Sequence, residues 1–326
     1  MRRILSFCIP ERKAERKKDM RTALVGNTGF VGSNLASAYE FTDLYHSKNI
    51  GQAYGTEPDL LVYAGVRAEK FLADREPERD LQTVKEAFSN IQRINPGKLV
   101  LISTIDVYKT PVLVNEETAV ETEGLNPYGR HRYMLEQWVR EAYPDALIVR
   151  LPGLYGKNIK KNFIYDFIHV IPSMLKEEKY LELQAGSSFL APYYEKLDNG
   201  FYKCRPLAGE EEQVLKDWFR RAGFSALNFT DSRSVFQFYP LSMLWGHLKK
   251  ALELQLSLVN LAAEPIGAGE LYYSLTGEAF VNELAAEPAF YDYRSLYAEE
   301  MGGADGYLLK KDFVMEDIKR FAANEK

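Results

Sequence analysis

The chain predicts an α/β protein, a doubly wound parallel sheet carrying a smaller C-terminal cap. Three observations carry that reading. A short apolar run, Ala23 to Val25, meets three evenly spaced glycines, Gly26, Gly29 and Gly32, and an amphipathic helix pattern follows. Apolar runs without alternation recur at 58–65, 98–103 and 146–151, with helical stretches between them, as buried parallel strands require. After Gly156 the alternation stops, and residues 157–233 become rich in Tyr, Phe, Lys and Glu.

Composition narrows the class. The 326 residues are 46% hydrophobic and 27% charged, ordinary for a globular protein, and the length suggests about two domains. A net charge of −5 argues against broad nucleic-acid binding. No apolar run approaches the roughly 18 residues a membrane helix needs. Cys8 and Cys204 are too few for a disulfide framework, so a reducing cytoplasm is the expected compartment. Residues 1–19 read as a flexible extension or an upstream start. The apolar segment after Arg2-Arg3 is too short for a signal, and 11–19 is almost wholly charged. The expected division is 20–156 with 234–262 as a dinucleotide-binding domain, and 157–233 with 263–326 as a substrate-binding cap.

The glycine turn is strand, tight turn, helix. Gly26 can take a positive φ at the strand exit, Gly29 lets a pyrophosphate approach the backbone, and Gly32 lets the helix lie against the strand. Free N–H groups at the helix start would face the negative charge. A helix is expected from about Phe30 to Tyr39 and a strand at about Thr42 to His46. Ser47 and Lys48 follow where NAD binders place an acid; with no Asp or Glu adjacent, the cofactor choice leans slightly to NADP. Pro58 to Gly65 is the next strand, with Arg67 just beyond it. Residues 76–94 form a long helix with apolar positions at Leu81, Val84, Ala87, Phe88 and Ile91. Lys98 to Ser103 is a strand. Asn126 as N-cap and Pro127 in the first turn begin a helix that runs to Ala142, and Ala146 to Leu151 is the following strand. Residues 241–256 and 258–262 supply one more helix and the last strand, and 312–322 a terminal helix.

The spacing Gly-x-x-Gly-x-x-Gly, with Thr28 before the second glycine and Phe30-Val31 after it, resembles the extended short-chain dehydrogenase/reductase superfamily. The resemblance is to its NAD-dependent epimerase/dehydratase branch, which modifies nucleotide sugars. Ala64-Gly-Val-Arg-Ala68 resembles the loop that passes under the cofactor. Leu101-Ile-Ser-Thr-Ile-Asp-Val-Tyr108 resembles the Ser-Ser/Thr-x-x-Val-Tyr strand end, and Asn126-Pro-Tyr-Gly-Arg-His-Arg132 the Tyr-x-x-x-Lys helix start. Arg150-Leu-Pro-Gly-Leu-Tyr-Gly156 resembles the segment beside the nicotinamide.

The resemblance implies a Rossmann-type sheet, NAD or NADP as cofactor, a nucleotide-sugar substrate and a homodimer. It places cofactor contacts at Gly26, Thr28, Gly29, Phe30, Val31, Gly32, Ser47, Lys48, Ala64, Gly65, Ser103, Arg132 and Pro152, and catalytic roles at Tyr128 and Thr104. Arg67, Asn162 and Arg233 are the substrate candidates. Lys160 and Lys161 either contact a diphosphate or are simply solvated.

The spacing carries chemistry. A free phenol has a pKa near 10, too high for a good base at pH 7. Residue 132 shares a helix face with Tyr128. There the family's Lys is replaced by Arg, which supplies the cation but cannot relay a proton. A charge about 4 Å away at an effective dielectric near 20 is worth roughly 4 kcal/mol, so Arg132 is expected to weaken the phenol's hold on its proton. Asp106 is either a second acid/base or a turn cap. Dehydratases carry Thr-Asp-Glu where this chain has Thr104-Ile105-Asp106, which argues against dehydration. His46, His131, His169 and His247 show no metal-ligand spacing, so no metal is expected. The functional expectation is an NAD(P)-dependent oxidoreductase or epimerase acting on a nucleotide-linked sugar. The alternative is a catalytically impaired NAD(P)-binding sensor or scaffold of the same fold.

Overall fold

The computed structural model describes residues 20–185 and 187–325; the expected extension at 1–19 lies outside the described residues. β1 (Thr22–Val25) leads through α1 (Phe30–Ala38) to β2 (Asp43–Tyr45), a 3-10 turn (Ile50–Ala53) and β3 (Leu60–Tyr63). Then come α2 (Lys70–Arg75), α3 (Pro77–Ile94), β4 (Lys98–Thr104), α4 (Pro127–Ala142), β5 (Leu147–Leu151) and β6 (Gly153–Tyr155). The next stretch holds α5 (Phe163–His169), β7 (Met174–Lys176), α6 (Glu177–Leu183), β8 (Tyr194–Lys196), β9 (Phe201–Cys204) and α7 (Glu210–Arg221). β10 (Val235–Phe236), β11 (Phe238–Pro240), α8 (Leu244–Glu253), β12 (Leu258–Asn260), β13 (Ile266–Gly267), α9 (Ala268–Thr276) and α10 (Lys311–Asn324) follow.

Six strands form the central sheet in the order β12-β5-β4-β3-β1-β2, every pair parallel. β1, β3 and β5 are buried along their whole length, which is why their sequences are apolar without alternation. β1 pairs with β2 on one side and β3 on the other. The strand order reverses there, and the crevice outside the carboxyl ends of β1 and β3 is where such sheets bind ligands.

Helices cover both faces. α3 starts on Pro77, with Glu78 and Asp80 in its first turn and Arg93 in its last, charges that suit the helix dipole. Its Val84, Ala87 and Ile91 share a core with Leu135 and Val139 of α4. On the opposite face, Leu35 of α1, Leu248 and Ala251 of α8, and Val314 and Ile318 of α10 pack together with Leu24, Val62 and Val149 of the sheet. Residues 266–322 thus contribute to the core under the sheet. The stretch 170–219 has a small core of its own around Leu175, Tyr194, Leu215 and Phe219, beneath the antiparallel sheet β7-β9-β8.

One buried ion pair ties the layers together. Arg150 of β5 donates to Glu136 of α4 at 2.5 and 3.0 Å and to the Tyr108 hydroxyl at 2.7 Å, and Ser103 of β4 donates to Glu136 at 2.6 Å. The sequence reading assigns no elements within 157–233 and also misses two short ones before it. α2 has six residues, too few for a periodic signal, and β6 pairs with β11 outside the main sheet. Among the described residues, no helix is long and apolar enough to cross a membrane.

Candidate active site

The glycine turn is dictated by close approach. Gly26 has φ +94°, its N–H donates to the Tyr45 carbonyl at 2.7 Å, and a Cβ there would sit 2.5 Å from the Ala64 carbonyl oxygen. A Cβ on Gly32 would lie 2.1 Å from the Gly26 oxygen, and one on Gly65 2.9 Å from Val25 Cγ1. The exits of β1 and β3 therefore touch backbone to backbone. Gly29 is the N-cap of α1 and supplies no capping side chain, so the amides of Phe30, Val31 and Gly32 open the helix uncapped. Thr28 and Gly29 are exposed, and the buried Oδ1 of Asn27 has no partner. A tight cradle with uncapped amides fits a dinucleotide pyrophosphate. Ser47 and Lys48 lie exposed just past β2, and no acid is adjacent to them in sequence.

β4 ends on Thr104, which accepts from the Asp106 amide at 3.2 Å and so caps the short turn Ile105–Val107. Asn126 accepts from the Gly129 amide at 2.9 Å and starts α4, as its sequence predicts. Gly129 is required: a Cβ there would lie 2.0 Å from the Asp106 carbonyl oxygen. That contact brings the start of α4 onto the end of β4, where the Thr104 hydroxyl is near enough to the Tyr128 phenol to lower its pKa.

The electrostatics differ from expectation. Tyr128 is held above the ordinary tyrosine value; burial dominates and the Asp106 charge adds to it, while Arg132, Lys70 and the Thr104 hydrogen bond oppose. The expected lowering by Arg132 does not prevail, and the structure shows why. Arg132 Nη1 is ion-paired with Asp80 of α3, and Nη2 donates to the Arg67 carbonyl at 2.6 Å. Asp80 also meets His131 Nδ1 at 2.8 Å. The guanidinium lies over the Tyr128 ring face, its central carbon 3.9 Å from the centroid. Arg132, expected also to contact a cofactor, thus already has Asp80 and the Arg67 carbonyl as partners.

Three other expected contact residues have partners within the chain. The Ser103 hydroxyl is buried and donates to Glu136 at 2.6 Å. Arg233 chelates Asp231 at 3.0 and 2.8 Å, donates to the Ala285 carbonyl at 2.6 Å and reaches Glu283 at 3.3 Å, so its charge is spent within the cap. Asn162 accepts from the Ile164 and Tyr165 amides and donates to the Leu154 carbonyl at 2.8 Å; it borders the cavity described below, but its amide builds the start of α5. Arg67 offers its carbonyl to Arg132, and its side chain is exposed.

A cavity of about 320 Å³ opens beside Thr104. Its walls include Asp106, Pro152, Phe163, Asp166, Phe236, Phe238, Tyr291 and Tyr293. Sequence reasoning missed three charged groups here. Lys70 of α2 pairs with Asp106 at 2.9 Å, Asp80 neutralises Arg132, and Asp166 stands at the cavity wall. Lys70 and Asp80 look like ordinary surface charges in the sequence. Asp166 had a signal, as the one acid in the apolar run 163–170. Lys161 donates to the Ala68 carbonyl at 2.6 Å, and burial lowers its pKa.

Among curated protein sequences none matches. Solved structures match in fold over nearly the whole chain. The dTDP-4-dehydrorhamnose reductase of Yersinia enterocolitica is 13% identical with a TM-score of 0.60, covering 94% of this chain and 99% of that one. The Bacillus anthracis reductase, solved with NADP, is 16% identical with a TM-score of 0.59, covering 94% and 98%. A UDP-N-acetylglucosamine 4-epimerase of Methanobrevibacter ruminantium, in complex with UDP-N-acetylmuramic acid, is 14% identical with a TM-score of 0.61, covering 94% and 98%. The sequence model described as RmlD substrate binding domain matches residues 20–186, half of the chain. The chain therefore belongs to that family, within the extended short-chain dehydrogenase/reductase superfamily.

Proposed function

We propose that this protein is an NADP-dependent reductase of a carbonyl group on a nucleotide-linked sugar, with Tyr128 as proton donor and Thr104 as its partner. The observation that carries the proposal is that Gly129 packs the start of α4 onto the end of β4, which brings the Tyr128 phenol, its proton held by burial, beside Thr104 on the cavity wall. The Bacillus anthracis relative was solved with NADP and the Methanobrevibacter ruminantium relative with a nucleotide sugar, which supports the ligand class.

The turn from Gly26 to Gly32 would hold the pyrophosphate, Ser47 and Lys48 the adenosine ribose and its phosphate, and Ala64, Gly65 and Pro152 the nicotinamide side. The cofactor supplies the hydride. As the carbonyl carbon accepts it, the carbonyl oxygen gains negative charge, takes the Tyr128 proton and is steadied by the Thr104 hydroxyl. The product is the alcohol, and the phenolate left behind is reprotonated from solvent with the Lys70 cation nearby. Epimerisation would begin with the opposite step, removal of a hydroxyl proton, which needs the phenolate, and burial keeps Tyr128 in its protonated form. Ile105 in place of an acid weighs against dehydration.

The test follows NADPH consumption with nucleotide-linked keto sugars. Wild type should turn over. Tyr128→Phe should lose at least about a hundredfold in kcat while NADPH still quenches protein fluorescence. Unchanged turnover in that variant would remove Tyr128 from the reaction. One observation favours the second reading, a cofactor-binding sensor or scaffold: Arg132, which stands where the family carries a lysine, is ion-paired with Asp80. NADPH binding without turnover on any keto sugar would select it.

A further inference from the structure

The polar groups around the cavity divide into those already committed and those that are not. The Asn162 amide is spent on α5 and the Leu154 carbonyl. The Gln237 amide donates to the Ala263 and Tyr293 carbonyls and accepts from the Tyr293 amide. Asp106 is paired with Lys70, and the Thr104 hydroxyl accepts from the Asp106 amide. The hydroxyls of Thr230, Tyr291 and Tyr293 and the carboxyl of Asp166 have no side-chain partner among the described residues, and burial singles out two of them. The Tyr293 hydroxyl is wholly buried and has no partner. The Asp166 carboxyl, on the same cavity, has no hydrogen-bond or ion-pair partner among the described residues. Burial pushes that carboxyl up to about 7, and no charged neighbour contributes.

The rest of the wall is largely aromatic, with Phe163, Phe236, Phe238 and Tyr291, and no Lys, Arg or His borders the cavity. Such a surface takes the CH face of a sugar ring and offers acceptors to its polar edge. A carboxylate or phosphate brought there would meet Asp166 and Asp106 with no cation on the wall to receive it, which is costly in a partly dry site.

Resting on the reductase reading above, we infer that this cavity holds the sugar ring and that Asp166 sets its specificity, accepting a hydrogen bond from a hydroxyl or amino group and rejecting rings that carry a carboxylate. The unpartnered Tyr293 hydroxyl is the second contact on the same ring.

The experiment measures binding of UDP, UDP-glucose, UDP-glucosamine and UDP-glucuronic acid to the NADPH-loaded protein by calorimetry at pH 8. Wild type should bind UDP-glucosamine and UDP-glucose more tightly than UDP, and UDP-glucuronic acid at least about tenfold more weakly than UDP-glucose. Asp166→Asn should narrow that last gap by about tenfold and weaken UDP-glucosamine by a similar factor. Tyr293→Phe, which keeps the ring and removes only the hydroxyl, should weaken UDP-glucose several-fold and leave the discrimination against glucuronic acid in place; it serves if the Asp166 variant does not fold. Equal affinities for the neutral and carboxylate sugars in wild type, or discrimination unchanged in Asp166→Asn, overturn the inference and leave the reductase reading standing. If none of the UDP compounds binds while NADPH does, the nucleotide-sugar reading and this inference fail together.

Discussion

The guanidinium carbon of Arg132 lies over the Tyr128 ring, 3.9 Å from its centroid, one helical turn along α4. The two residues are neighbours, as their spacing requires, but the contact is with the ring face. The charge that should act on the phenol is shared with Asp80, and burial of the phenol outweighs what remains.

Asp80→Asn removes that sharing. Arg132 would then act on Tyr128 as a full cation and lower its pKa, so an ultraviolet tyrosinate titration should show one tyrosine ionising earlier than in wild type. The buried guanidinium would also lose its counter-ion, so stability should fall by about 3 kcal/mol, read as a lower denaturant midpoint. An unchanged titration would show that Asp80 does not mask Arg132.

Gly32→Ala places a methyl 2.1 Å from a backbone oxygen of the glycine turn. Neither the Gly26 carbonyl nor α1 can yield cheaply, so a loss of about 1–3 kcal/mol is expected. NADPH affinity should drop more than tenfold, because the amides that open α1 would be displaced. Thermal melts and fluorescence quenching measure the two effects separately.

Lys48→Glu tests the cofactor choice. Placing a carboxylate beyond β2 should disfavour a 2′-phosphate and suit a free ribose hydroxyl. The ratio of NADH to NADPH affinity should rise by about tenfold, equivalent to about 1.4 kcal/mol. No change in that ratio would remove Lys48 from the cofactor site.

Asp166 makes stability depend on pH. Its folded value of about 7 lies above the ordinary 3.8, so the folded state binds its proton more tightly than the unfolded chain does. The sign follows: this contribution falls as pH rises from about 4 to about 7 and is flat above that. Asp166→Asn should therefore gain stability relative to wild type at pH 8, by up to about 4 kcal/mol from the size of the shift, and show little gain at pH 4. Melts at the two pH values decide it, and a pH-independent difference would refute it.

The sequence by itself determined the parallel sheet, the glycine turn and the start of α4, because each rests on local chemistry. Gly26 is needed for its positive φ, Asn126 and Pro127 for the helix start, and buried strands for their unbroken apolar runs. Family membership was legible for the same reason, since its motifs are short and contiguous. Only the tertiary structure decided what the charged residues do. Whether Arg132 acts on Tyr128 depends on Asp80, 52 positions away in sequence. Whether Arg233 is free depends on Asp231 and the Ala285 carbonyl, and whether Asp166 is dry depends on aromatic residues from distant segments. Spacing along a helix sets which groups are near; burial and the counter-ions brought by other elements set which way a proton moves, and these exist only once the chain is packed.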